Sequence, residues 1–388
     1  MKKKVSIGAL LAILLIAGAI GGWQRYREAQ LSYMVGQMIL LGFRGTSPDD
    51  DAVRGIADDI RLGKIGGVIL FNIDVEMRNA GLAGDTRDAQ IISRNIIDVA
   101  QVQKLNEFLS KAALDAGRPP LFISIDQEGG RVARLLPQHG FDFVMPSAQE
   151  LSMIPSEVIY DKYKELGLKL HGLGFNVNFA PATDVNVNPD SPAIGALGRS
   201  YSADAKLVTE YGRMAAGGLY DAGIISSFKH FPGHGSAGTD THAGLTDITN
   251  TWQEYELEPY TAIPDNTMVM VAHVLNKRID PTYPATLSHK TVNELLREKL
   301  GFQGVVITDD LQMGAIYDEY GFAESLRLAI LAGNDVLLFG NNLQYTENIG
   351  RLVHEEIMKM VHNGDIPRSR IQESYERIIK LKDHVNPH

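Results

Sequence analysis

The sequence predicts an α/β chain whose eight strands close into a (β/α)8 TIM-type barrel. Three observations predict it. Short, wholly apolar runs rich in Val and Ile recur along the chain, helix-spaced segments separate several of them, and polar residues stand at their C-terminal ends. Continuous apolar runs are the mark of parallel strands covered on both faces. A doubly wound open sheet is the runner-up for such alternation. The strand-end residues favour the barrel, because barrels carry their chemistry on that face.

The runs are Met38–Phe43, Gly67–Phe71, Leu121–Asp126, Phe175–Phe179, Ile224–Lys229, Met268–His273, Val305–Asp309 and Val336–Phe339. Asp74 to about Ala89, with Gly81, Gly84 and Asp85, reads as a polar insertion after the second run. Val102, Leu105, Leu109 and Ala112 then follow helical spacing. Pro367 can open a last helix with Ile371, Tyr375, Ile378 and Leu381 on one face. No Pro/Ser-rich linker, repeat or low-complexity block interrupts residues 34–388, which read as one catalytic domain.

The N-terminus reads differently. Lys2, Lys3 and Lys4 precede an uncharged apolar run from Val5 to about Ile20, and Ala17-Gly18-Ala19 offers a small-residue cleavage pattern. Basic residues, a short apolar stretch and small residues make an export signal, and the run is at the short end for a membrane span. Residues 1–22 are therefore expected to be a signal peptide or an N-terminal anchor. If the run at 5–20 is retained, its lysines stay cytoplasmic and the remainder lies outside. Residues 23–33 read as a spacer, polar and partly helical from Gln24 to about Ser32.

Composition narrows the chemistry. The chain of 388 residues carries a net charge of −10 and no cysteine, so disulfides, thiolate catalysis and cysteine–zinc sites are excluded. Without a basic stripe interleaved with aromatics, nucleic acid is not an expected partner.

The most informative stretch is Lys229-His230-Phe231-Pro232-Gly233-His234-Gly235 followed by Asp240-Thr241-His242. It puts three histidines, a lysine and a carboxylate into a loop whose other residues are mostly small. Such a loop has little to bury and usually serves a ligand or a reaction. Asp240 and His242 share a face on an extended segment, and a carboxylate beside an imidazole makes a tuned acid/base. Asp126, Asp184, Lys229, His230, His273, Asp309 and Asp310 all stand at or just past strand ends. A carboxylate at such a rim can act as a nucleophile. Of the adjacent pair, Asp309 is expected to face the pocket and Asp310 to cap the following helix. Asp126-Gln127-Glu128-Gly129-Gly130-Arg131, leading to Arg134, suits sugar hydroxyls or anions. An internal ion pair between Glu128 and an arginine is the competing reading. Arg199 taken alone is no more than a surface arginine.

Together these segments resemble the β-N-acetylhexosaminidases of glycoside hydrolase family 3, from about Met34 to Ile371. The marker is Lys229–Gly235 with Asp240–His242. Asp126–Arg131, Phe179-Ala180-Pro181 with Asp184-Val185-Asn186, Gly198-Arg199-Ser200 and Thr308-Asp309-Asp310-Leu311 support it. The resemblance implies a retaining glycosidase on a barrel, with Asp309 as nucleophile and His242, paired with Asp240, as acid/base. It implies that Asp126, Arg134, Arg199, Lys229 and His230 bind the N-acetylglucosamine unit, with neither metal nor cofactor. It also implies removal of terminal β-linked N-acetylglucosamine, often from peptidoglycan fragments. Position 236, often acidic in that family, is serine here.

Three rival readings remain at this stage. A metal-dependent envelope hydrolase or deacetylase could use His230, His234, Asp240 and His242 as ligands. It would leave Asp309 without a role, and no His-x-His pair follows the first strand run. A non-catalytic envelope protein could bind sugar in the same pocket. Phosphate, not water, could attack the glycosyl-enzyme, since a histidine acid/base tolerates an anionic acceptor.

Overall fold

The computed structural model describes residues 7–79, 93–241, 244–261 and 263–385, with side chains from residue 21 onward. The barrel strands are β1 (Ile39–Gly42), β2 (Gly67–Ile69), β3 (Phe122–Ile125), β4 (Val177–Asn178), β5 (Ile225–Phe231), β7 (Met268–Val271), β9 (Val305–Thr308) and β10 (Leu337–Phe339). Each of the eight expected runs holds one of them. They pair in parallel in the order β10-β1-β2-β3-β4-β5-β7-β9. A parallel bridge between Ile307 and Val336 closes the ring, with Leu338 N donating to Thr308 Oγ1 at 3.0 Å. The barrel reading holds, and the open sheet is set aside. Every residue of these strands is buried, as expected for strands packed on both faces.

Helices cover most of the outside. Val99–Asp115 follows β2 and buries Val102, Leu105, Leu109 and Ala112, the residues expected from spacing. Its first turn is closed by Asp98, whose side chain accepts from Gln101 N at 2.9 Å. Ser156–Gly172 and Ala205–Asp221 follow β3 and β4. Arg368–Lys382 begins after Pro367 and buries Ile371, Ile378 and Leu381.

One helix is missing from the pattern. Among the described residues between β5 and β7, the one regular helical stretch is a 3-10 segment, Glu254–Tyr260, and apart from the short strand Thr246–Asp247 the others are loop. Pro232, Gly233, Gly235, Gly238, Gly244, Pro259 and Pro264 explain why no α-helix forms there. A small parallel pair, β6 (Thr246–Asp247) with β8 (Val274–Leu275), ties this loop to the segment after β7.

The spacer expected at residues 23–33 is part of one long helix, Ile7–Gln37. It packs on the last two helices. Leu31 and Val35 are buried, His354 Nε2 donates to Ser32 O at 2.8 Å, and Glu28 meets His362 at 2.7 Å. The side chains of the apolar run 5–20 lie outside the described ones. Among the described residues, no helix is long and apolar enough to cross a membrane.

The stem of the polar insertion is held by charge. Asp74 is buried between Arg44 and Arg94, 2.7 Å from each, and caps Met77 N at 3.0 Å. Residues 80–92 lie outside the described ones.

At the opposite side of the chain order, Asp335 ties the end of the fold together. Its carboxylate is fully buried and accepts from Arg297 at 2.6 Å, Arg370 at 3.0 Å, Arg377 at 3.1 Å and Ser374 Oγ at 2.9 Å. Burial alone would raise its pKa, but three guanidinium groups outweigh that and hold it below the usual range. Removing one partner from such a group leaves buried charge uncompensated. Asp335→Asn should therefore lower the unfolding free energy by about 3–5 kcal/mol in urea titrations at neutral pH. A loss below about 1 kcal/mol would show that the arginines find other partners.

Candidate active site

The C-terminal ends of the strands open into a cleft of about 330 Å³, within the range of small-ligand sites. Its polar lining includes Asp126, Glu128, Arg134, Arg199, Lys229, His230, Asp240, Asp309 and Asp310, against an apolar wall of Phe71, Met270, Met313 and Leu338. All the expected site residues except His242 are on this list. His242 lies outside the described residues.

Lys229 and His230 are neighbours on one strand, so in regular β structure they would point to opposite faces. Here the ladder shifts: Lys229 stands opposite Met270 and Phe231 opposite Val271, leaving His230 as the extra residue of a bulge. A bulge of this kind re-aims a side chain, and both residues reach the cleft.

The floor of the cleft is a continuous charge network. Glu128 accepts from Arg199 through both oxygens, at 2.7 and 2.9 Å, and from Lys229 Nζ at 2.7 Å. Lys229 also meets Asp126 at 3.0 Å, and Arg134 lies 3.7 Å from the other Asp126 oxygen. Burial disfavours the ionised Glu128, but Arg199 and then Lys229 outweigh it, so its carboxyl is held far below the ordinary value. Lys229 is shifted the other way. Burial would lower its pKa, and the Asp126 and Glu128 charges raise it instead. The internal ion pair entertained for Glu128 is thus real, and Arg199 is no surface arginine: its side chain is 14% exposed.

Asp184 is the second anchor. One oxygen accepts from His230 N at 3.1 Å and His234 N at 2.8 Å, and the other meets His230 Nδ1 at 2.7 Å. Burial opposes its charge, but His230 holds the carboxyl below the usual range. The neighbouring Val185 O would lie 1.8 Å from a Cβ at 235, so only glycine fits where this loop crosses strand β4's extension. His234 is buried, edge-on to His230 at 5.8 Å, with Nε2 3.4 Å from Thr241 Oγ1. Burial, then the nearby His230, pushes its pKa down to about 4.

Asp309 follows β9, and its main chain donates to Val271 O at 3.1 Å. One of its carboxylate oxygens accepts from Asp310 N at 2.8 Å. Asp310 does not cap the following helix, Gly314–Tyr320, whose first turn begins after Met313; its carboxylate instead accepts from Gln312 N and Gly340 N at 3.0 Å each. It also borders the cleft. His273 supports the same turn from β7: its Nε2 donates to Asp310 O at 2.9 Å. On the opposite wall, Gln127 Oε1 accepts from Arg134 N at 2.7 Å and so shapes the turn that presents Arg134.

The sequence reading did not place Glu128 or Asp184 among the site residues. Both were visible as strand-end carboxylates, but their partners stand 71 and 46 positions away, and nothing local names them. Among the described residues, no group of three or more His, Asp or Glu side chains is arranged to hold a metal ion, and His242, one ligand of the rival reading, lies outside them.

The chain is similar to known proteins over most of its length. Residues 31–381 match the profile of the glycosyl hydrolase family 3 N terminal domain. The chain is 34% identical over 289 residues to the β-hexosaminidase LpqI of Mycobacterium tuberculosis, covering 71% of each chain. It is 30% identical over 373 residues to β-hexosaminidase A of Pseudoalteromonas piscicida, covering 90% of this chain and 60% of that one. A solved family 3 β-N-acetylglucosaminidase from Paenibacillus sp. superposes with a TM-score of 0.78 at 35% identity, over 91% of this chain and 62% of that chain. The chain thus spans about three fifths of the length of two of these relatives.

The burial of His234 has a measurable consequence. Its folded-state pKa of about 4 lies below the ordinary 6.5, so the unfolded chain binds a proton first as pH falls. The stability this neutral ring contributes is complete above pH 6.5 and is lost as pH drops toward 4, by about 3 kcal/mol. His234→Asn should flatten the pH dependence of unfolding free energy across that window. An unchanged slope would show that the ring is protonated in the fold.

Proposed function

The chain belongs to glycosyl hydrolase family 3, and from that premise we propose that it is a retaining, exo-acting β-N-acetylhexosaminidase. It removes terminal β-linked N-acetylglucosamine, and its natural substrates are peptidoglycan-derived fragments. The observation that carries this reading is the convergence, in one cleft, of Asp309 and Asp240 with Asp126, Arg134, Arg199, Lys229 and His230. Those residues are spread over four barrel strands and the loops that follow them, and no single motif would bring them together.

In the proposed mechanism, the Asp309 carboxylate attacks the anomeric carbon while His242 gives its proton to the departing glycosidic oxygen. Water then attacks the glycosyl ester, His242 takes its proton, and Asp309 is released. This is the two-step course of retaining glycosidases, with a histidine in place of the second carboxylate. Asp240 fixes the tautomer of His242 and favours its charged form. Asp126, Arg134, Arg199, Lys229 and His230 hold the sugar. The catalytic unit is the barrel at 34–388. Residues 1–22, basic then apolar then small, serve as signal or anchor and place the enzyme in the cell envelope or outside it.

The test is hydrolysis of an aryl β-N-acetylglucosaminide and the matching β-glucoside by the purified chain and its Asp309→Ala variant. The N-acetyl substrate alone should be cleaved, and Asp309→Ala should abolish cleavage while keeping the fold. Equal cleavage of both substrates, or an active Asp309→Ala variant, would overturn the reading. Muropeptide disaccharides added as competitors should slow aryl glycoside cleavage if peptidoglycan fragments are the natural substrate.

A further inference from the structure

We propose that His273 is a positioning residue for the nucleophile, fixing the turn in which the Asp310 N–H grips the Asp309 carboxylate. This rests on the nucleophilic role given to Asp309 above and extends it to a residue that does not line the cleft.

His273 is one of the polar residues just past a strand end, yet the proposed mechanism gives it no task. It lies between β7 and β8 in the chain and is fully buried. A buried polar group is costly unless it is hydrogen-bonded, so the partners of the ring show what it is there to hold. Nε2 stands 2.9 Å from Asp310 O. A carbonyl only accepts, so Nε2 carries a proton. Nδ1 stands 2.8 Å from Thr286 Oγ1, and that hydroxyl lies 2.6 Å from Ala272 O. Thr286 is itself fully buried, its O accepting from Asn334 Nδ2 at 2.8 Å. The ring is thus fixed at both nitrogens.

What the ring holds is the backbone of Asp310. The same carbonyl accepts from Met313 N at 2.9 Å, and Leu311 N donates to Leu338 O at 3.0 Å. The Asp310 carboxylate accepts from Gln312 N and Gly340 N. A Cβ at position 340 would collide with that carboxylate, so only glycine lets the chain come so near. These bonds tie Asp310 to its own turn and to β10. His273 adds the tie to β7, the strand on the other side of β9. The consequence falls on Asp310 N, which donates to an Asp309 carboxylate oxygen at 2.8 Å. If residue 310 turned, that oxygen would lose its donor and the carboxylate its direction. A nucleophile must be aimed within narrow limits of distance and angle to react.

Losing this support should damage nucleophilic attack and spare sugar binding. The experiment compares four variants with the parent chain. His273→Phe fills the space without a donor, and His273→Gln can set an amide N–H near the place of Nε2. Thr286→Val removes the hydroxyl beside Nδ1, and Asp309→Ala removes the nucleophile. Each is assayed on an alkyl N-acetylglucosaminide, whose aglycone must be protonated to leave, and on a 2,4-dinitrophenyl one, whose aglycone leaves without a proton. Misplacing a reacting group by about 1 Å can cost about 10²-fold, so kcat/KM of His273→Phe should fall on the order of tenfold to a hundredfold on both substrates. Equal loss on both marks a fault in attack and not in proton donation. Competitive inhibition by free N-acetylglucosamine should stay near parental, because the residues proposed to hold the sugar are untouched. His273→Gln should recover much of the lost rate, and Thr286→Val should lose less than His273→Phe.

A folded His273→Phe variant with parental kcat/KM, with unequal loss on the two substrates, or with inhibition weakened as much as its rate, overturns the proposal. So does a His273→Gln variant no better than His273→Phe. If His273→Phe does not fold, Thr286→Val decides by the same three criteria. Asp309→Ala separates the two levels. If it stays active, the nucleophile assignment itself fails; if it is inactive and His273→Phe keeps its rate, only the positioning role fails.

Discussion

Everything at the mouth of this barrel depends on keeping ionised groups compensated where water is largely excluded. Glu128 sits between Arg199 and Lys229, Lys229 between Glu128 and Asp126, and Asp184 beneath His230 and His234. None of these could be buried alone, since an isolated charge in such a setting is far too costly. The strands set the positions of the charges, and the charges in turn fix the directions of the loops. Removing one member would strand its partners and distort the cleft beyond the residue removed. The network is therefore a single unit, and its members are not separable contributors.

The segment after β5 shows a second constraint. A regular barrel would place a helix there, which would bury apolar surface against β5 and β7. This chain covers those strands with Trp252, Leu257 and Tyr260, Tyr260 packing edge-on against Phe231 at 5.0 Å. Trp252 Nε1 donates to Pro232 O at 2.9 Å, so the cover is tied to the glycine-rich turn itself. In place of a helix, a polar segment after β5 brings Asp240 to the lining of the cleft.

The fold was largely legible from local sequence because parallel strands announce themselves as short apolar runs, and their end residues as polar exceptions. The strand-end rule also picked out Asp126, Lys229, His230 and Asp309 together, and the motif after β5 added Asp240. What could not be read was pairing across the barrel. Glu128 and Arg199 are joined only because β3 and the loop after β4 are neighbours in space. The bulge at His230 depends on the register against β7, which neither strand specifies alone. The spacer was read as only partly helical because its polar residues mask Leu31, whose burial depends on two helices at the far end of the chain. The sequence reading made no statement on a helix between β5 and β7, although the glycines and prolines of residues 232–264 disfavour one.

The network also sorts the residues proposed to hold the sugar. Arg199 gives its donors to Glu128, to Ala193 O at 2.8 Å and to His230 Nε2 at 3.3 Å. A guanidinium cannot accept, so His230 Nε2 must, and the ring proton lies on Nδ1 toward Asp184. Arg199 and His230 thus act chiefly as walls whose shape is set by their own partners. Lys229 differs: an ammonium has three protons, and two carboxylates account for two of them. Arg134, 3.7 Å from Asp126 and stacked near Phe71, is less tightly held. A site in which the cations are already matched by carboxylates has little electrostatic reason to prefer an anion. It offers directed hydrogen bonds to a neutral, hydroxyl-rich ring, which is what a terminal N-acetylhexosamine presents.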